Sequence, residues 1–359
     1  MEYQEIIKEQ FDQLDFSELQ TILQEDASTG SALLGNFSPE TIVEDLSAGK
    51  AILDTGVLIN GIRDLFLYEV RSALVLGAEI VAVAVIIGLL RSFSNSMGER
   101  AVSNLGMVIS ACFVIGLCLN SFTLTYGLCR DTIRTLTSTM QILMPILIAL
   151  LISSGGIASG SLMDPIILGS VTALNTILDR LILPAVFIST VFFLVNSLTE
   201  KDYVHRLAVF IRGAATFACG ICVTIFTGVT ALQGVVSESA DGILLDTARF
   251  SMSNFVPIVG GFASDSVDMA LSCFRLIRNG VGIFGVIILL AVLLTPMIKL
   301  LAIAVIYKIT AVITEPLGNR ETSECLNQMG NSVITMAVIL FLTSMMFLIF
   351  ITIVIGIGG

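Results

Sequence analysis

The chain has 359 residues, of which 55% are hydrophobic and 13% charged, with a mean hydropathy of +0.95 and a net charge of −11. Roughly a quarter of an ordinary soluble domain is charged, and several stretches here run past about 18 apolar residues. A soluble globule is therefore excluded, and an all-α, polytopic integral membrane protein is the expected fold class.

The acidity is concentrated at the start. Residues 1–72 hold fourteen Asp and Glu against four Lys and Arg, which makes nucleic acid a poor partner. Phe11, Leu14, Leu19, Ile22 and Leu23 recur at helical spacing. Ser38-Pro39 offers an N-cap followed by proline at the first helical position, and Asn60-Gly61 reads as a break. Residues 1–72 are thus predicted as a small, mainly helical extracytoplasmic region, and residues 73–359 as the transmembrane domain. Met1 to Glu5 lacks the basic and apolar parts of a signal peptide. The N-terminus is then exported by another route, or the chain is a mature form given a start methionine.

The spans follow in order. Ala73–Leu90 contains Glu79, an intramembrane carboxylate and so a functional candidate by its cost. Val102–Phe122 comes next, then a linker with Arg130 and Arg134, read as an interfacial helix. The central stretch, 139–178, is apolar around Pro145, breaks at Ser153-Ser154-Gly155-Gly156 and Ser159-Gly160, and resumes after Pro165. Backbone that leaves helical geometry at membrane depth survives only against protein or a water-filled cavity. The break therefore reads either as the turn of a helical hairpin or as part of a permeation path. Asp179 and Arg180, adjacent in sequence, point to different helix faces and read as interface markers rather than an ion pair. They precede Leu181–Leu198, which carries Pro184.

The loop 199–212, with Lys201, His205, Arg206 and Arg212, is the most basic and is placed in the cytoplasm. Gly213–Leu232 spans, its Cys219 and Cys222 read as small residues for helix packing. Residues 233–280 are only partly apolar and place Arg275 and Arg278 outside the membrane, with 255–263 as a re-entrant or interfacial segment. Gln233, Asp241, Pro257, Gly260 and Gly261 join the candidate path or hinge residues. Gly282–Tyr307 holds Pro296 and Lys299, the lysine either snorkelling toward Lys308 or facing a pore. Val333–Ile357 is the last span, for seven to eight membrane segments in all.

No Gly-rich phosphate loop, zinc-protease helix or nucleophile elbow occurs. The single histidine, His205, has no neighbouring cluster of ligands, and the seven cysteines imply no disulfide framework. Neither an enzyme nor a cofactor or metal site is expected.

Several strings carry a resemblance to a known family: PILIALLISSGGIASGSLMDP around the break, NSLTEKDYVHRLAVFIRG (Asn196–Gly213), TIFTGVTALQGVVSESADGILLDTARFSMSNFVPIVGG (Thr224–Gly261), NGVGIFGVIIL (Asn279–Leu289) and PMIKLLAIAVIYKI (Pro296–Ile309). With Asn120-Ser121-Phe122 and Glu315-Pro316-Leu317-Gly318, they make the chain resemble the stage III sporulation protein AE family of endospore-forming bacteria from about residue 60 onward. The resemblance implies a subunit of the channel or secretion-like complex between mother cell and forespore, in the mother-cell membrane around the forespore. Its implied partners are the other stage III A proteins, including a secretion-type ATPase and ring-forming subunits, and indirectly the forespore's stage II protein Q. Self-association and membrane lipid complete the expected contacts. The resemblance leaves open a transport path or a non-conducting platform that anchors the rings and the ATPase.

Overall fold

A computed structural model describes residues 55–97, 100–156, 167, 169–196, 203–255, 260–317 and 320–356. The acidic segment before residue 55, with its expected helices, lies outside the described residues. So do Ser159, Gly160 and Pro165 of the break, and Pro257.

Every regular element among the described residues is helical. Helix α1 is Thr55–Met97 and α2 is Arg100–Ser153. Helix α3 covers Gly169–Asn196 and α4 covers His205–Phe255. Helix α5, Gly260–Thr314, turns through a short 3₁₀ segment, Glu315–Leu317, into α6, Arg320–Gly356. Among the described residues five of them are long and apolar enough to cross a membrane: α2 from Cys112, α3, α4 as far as Val236, α5 from Leu271 and α6 from Thr322.

Two pairs of apolar runs that were expected as separate segments each share one helix among the described residues. Val102–Phe122 and the run before the break are both in α2, which continues through the expected linker at Arg130 and Arg134. The runs before and after Asp179-Arg180 are likewise both in α3. Helix α1 passes through Asn60-Gly61 without a break.

Contacts fix the helix directions. Tyr307 donates to the Cys118 carbonyl, Leu143 lies on Gly285, and Arg278 reaches Ser154, so α2 and α5 are antiparallel. The Cys129 thiol meets the Met336 carbonyl and Leu143 faces the side of α5 that also meets Ile351, so α2 and α6 run the same way. Arg212 on Gln328 and Gly234 against Ile353 set α4 parallel to α6 as well. Ser154, Arg278 and Ile355 therefore share one end of the bundle, called here the break end.

Helices α5 and α6 form the central hairpin, with Phe284, Ile288, Met336, Leu340, Phe347 and Phe350 buried together. Gly282 makes the approach close: a Cβ there would overlap the side chain of Ile355. Ser323 donates to the Ala311 carbonyl at 2.8 Å and so answers one of the unpaired carbonyls at the end of α5. Buried threonines such as Thr125, Thr137, Thr190, Thr230 and Thr343 give their hydroxyls to the carbonyl four residues back, which lets them sit among apolar groups.

Proline shapes α3. Pro184 has no N–H for the Arg180 carbonyl, and its ring crowds that group. The helix widens there into a π-turn, Leu178–Ile182, closed by the Leu183 N–H on the Leu178 carbonyl five residues back.

Candidate functional site

The described part of the break, residues 153–156, is a closed helix terminus. Gly156 N–H returns to the Leu151 carbonyl at 2.9 Å and Gly155 N–H to Ile152 at 3.1 Å, while Gly155 takes φ 100°. This pair of reversed bonds around a left-handed glycine is a Schellman cap, and it needs a residue without Cβ at that position. Ser154 adds its hydroxyl to the Leu151 carbonyl. Ser154, Gly155 and Gly156 are buried, and Ser153 is exposed with its hydroxyl on Ala149.

A buried arginine locks this terminus. Arg278 on α5 is 1% exposed. It donates to the Ser154 hydroxyl at 3.0 Å and to the Ile355 carbonyl at 3.1 Å, and its Nε has no partner. No described carboxylate pairs with it. Burying an unpaired guanidinium is costly, yet α2 and α6 both end here, and each helix C-terminus carries a partial charge of about −0.5. Two such ends facing one cation supply the missing counter-charge. Arg275, one turn earlier, also has a buried Nε without a partner. Arg275 and Arg278, expected in a loop outside the membrane, thus lie on a packed helix. The signal that locates them is the four-residue spacing of Cys273, Ile277 and Val281, all buried, which extends the apolar face of α5 past the arginines.

At the other end, α6 offers two pairs of neutral acceptors, each four residues apart. Asn327 and Asn331 accept from the Lys308 ammonium at 2.8 and 2.5 Å. The lysine stem lies on Gly330. Gln328 and Ser332, one residue further round, accept from Arg212, at 2.8 Å for the Gln328 side chain. The Arg212 guanidinium also stacks 4.4 Å over Phe193, whose ring meets His205 edge-on. One helix thus seats a cation from each of two neighbours without a carboxylate. Arg212, expected in a cytoplasmic loop, is a helix-packing residue.

A third cluster joins α2 to the π-turn. Asp179 takes Arg130 through both carboxylate oxygens, at 2.5 and 3.3 Å, and Arg134 at 2.9 Å. Asp179 is an ion-pair partner after all, with arginines 45 and 49 residues away rather than with its neighbour. Arg180 is exposed. Phe187, two turns on, packs against Phe122 and Tyr126 of α2.

The remaining candidates are dispersed. Glu79 and Lys299 are exposed on the outer faces of α1 and α5, and Pro145 is exposed within α2. Gln233 is half-buried on α4, with its side-chain oxygen unpartnered. Asp241 falls on the helical backbone of α4, and Gly260 and Gly261 open α5. Among the described side chains, Glu79, Lys299, Pro145 and Gln233 stand on four separate faces of α1, α5, α2 and α4. A shallow groove lies on the outer face of α4 between Phe217, Gly220, Ile221, Thr224 and Ile225. That helix is the least covered, with 17% of its apolar stretch buried against 44–56% in the other four spans. All seven cysteines are free, and no group of metal-ligating side chains occurs among the described residues.

Comparison with known proteins decides the family. Residues 37–358 match the family described as stage III sporulation protein AE. The chain belongs to that family. Stage III sporulation protein AE of Bacillus subtilis (strain 168) is 35% identical over 271 residues, covering 76% of this chain and 68% of the relative. No solved structure matches. The family match takes in all of the clusters above, from Arg130 to Ile355.

Proposed function

We propose that this stage III sporulation protein is a membrane-embedded platform of the complex between mother cell and forespore. It sits in the mother-cell membrane, with its N-terminal region extracytoplasmic, and anchors the ring-forming stage III A subunits and their ATPase. One observation carries the reading: the C-terminus of α2, where the break begins, is capped and tied through Arg278 to the end of α6, while the apolar span of α4 is left largely uncovered. A locked bundle with one open helix face suits a part that holds others in place. The α4 face presents Thr216, Gly220, Thr224 and Gly228 at four-residue intervals, the spacing that lets a second membrane helix approach closely.

The test is co-purification from sporulating cells. Gly220→Leu with Thr224→Leu should strip the other stage III A proteins from the chain while its level in the membrane is unchanged. Undiminished co-purification, with sporulation intact, would remove the platform reading.

A transport path is the second reading, favoured by the charge of the spans. Their described residues include nine basic side chains and only three acidic ones, Asp131, Asp179 and Glu324, in a chain of net charge −11. A path formed where such chains meet would select anionic solutes. Bulky replacement at Gly160 that stops late forespore development, with the protein's level and its co-purification with the other stage III A proteins unchanged, supports this second reading against the first.

A further inference from the structure

Unanswered polar groups gather at the break end. Arg278 and Asn279 follow Arg275 by three and four positions on α5, so the three share one face of that helix. The bonds of Arg278 to Ser154 and Ile355 turn this face toward the ends of α2 and α6. Each of the three keeps a buried side-chain atom without a partner: Nε of Arg275, Nε of Arg278 and the carboxamide oxygen of Asn279. Arg275 is half-buried and has no ion pair among the described residues. Orphaned buried groups are uncommon in native proteins, and three on one turn of helix point to a molecule that answers them together.

Charge decides the class of that molecule. The ends of α2 and α6 offer about −0.5 each, one negative charge between them. Two guanidinium groups stand against it, so one positive charge is left over. It falls to Arg275, because α5 is antiparallel to both neighbours and carries Arg275 about 4.5 Å past Arg278, beyond their last turns. Water accepts from a guanidinium without neutralising it, whereas an anion does both. Arg278 has spent Nη1 on Ser154 and Nη2 on Ile355, which leaves Nε–H to donate. The Asn279 oxygen is an acceptor, so the anion must also bring a hydroxyl.

We propose that Arg275, Arg278 and Asn279 form a binding site for a phosphate group at the break end. Its oxygens accept from the two arginines, and a hydroxyl on the phosphate or on the group it carries donates to Asn279. Arginine suits this ligand because its N–H groups are fixed in a plane that matches phosphate oxygens. The site is compatible with a platform and with a transport path alike.

The experiment uses the full chain in detergent micelles. Five of its free cysteines are buried, so a thiol-reactive dye reports thermal unfolding. Sodium phosphate should raise the midpoint saturably, and sodium sulfate at equal ionic strength, which has no hydroxyl at neutral pH, should not. Arg275→Gln removes a charge-assisted bond and should weaken the phosphate response about ten- to hundredfold. Its midpoint without phosphate should match the parent's, because Arg275 holds no other element. Asn279→Asp sets a carboxylate four residues from Arg275 in place of the ligand. It should raise the phosphate-free midpoint and abolish the response, and it serves as the test if Arg275→Gln does not fold. A phospholipid retained through purification is the other source of phosphate. The parent is then insensitive to added phosphate, and native mass spectrometry finds the lipid on the parent but not on Arg275→Gln. An equal response to sulfate, an undiminished response in Arg275→Gln, or no response with no retained phospholipid overturns the proposal.

Discussion

The bond between Arg278 and Ser154 is the sharpest test of the architecture. Ser154→Ala removes one of the two acceptors of a 1% exposed guanidinium whose Nε is already unpartnered. It leaves the cap intact, because that cap is made of backbone bonds from Gly155 and Gly156. Hydrogen bonds to charged groups contribute about 1.5–3 kcal/mol, whereas those between neutral side chains of membrane helices average about 0.6. A loss of about 2 kcal/mol is therefore expected. In an Arg278→Met background the same substitution should cost less than about 0.5 kcal/mol, since no cation is left to abandon. The measurement is a double-mutant cycle of unfolding in mixed detergent micelles. A coupling at or below about 0.6 kcal/mol would mean that the helix termini alone neutralise the arginine and that the serine is incidental.

Gly282→Val should destabilise by about 1–3 kcal/mol by forcing α5 from Ile355, while Gly228→Ala, with open space at its Cβ, should cost no more than helix context allows, within about 0.5; the same unfolding assay reads both. Replacing Asn327 and Asn331 together by Leu strands the Lys308 ammonium and should lower the melting temperature, and adding Lys308→Met should recover most of the loss. Failure of that rescue would show that the asparagines act elsewhere. Asp179→Asn should loosen α2 from α3, and Arg130→Gln with Arg134→Gln should add little to it, because the three groups form one network. Proteolysis or cysteine cross-linking between α2 and α3 reports either result.

Part of this was legible in the residues. The apolar runs are long enough to mark membrane helices whatever their neighbours, since a 30 Å hydrocarbon core demands it. Gly155-Gly156 marks the end of α2 because only glycine tolerates the left-handed turn, and Pro184 marks the irregularity in α3 because it cannot donate. These are local effects, written in a few consecutive residues.

The charged residues were read less well. Arg130, Arg134, Arg212 and Arg278 interrupt apolar runs, and in isolation each looks like the edge of a span. Whether such a side chain ends a helix or sits within one depends on finding acceptors. Those acceptors are 49 residues away for Arg130, 116 for Arg212 and 124 for Arg278. Composition and periodicity thus determined that this chain is helical, apolar enough for a membrane, and broken after Ser153. Only the tertiary structure decided which breaks in hydropathy are breaks in the chain, because the free energy of a cation among apolar helices is set by what faces it across the bundle.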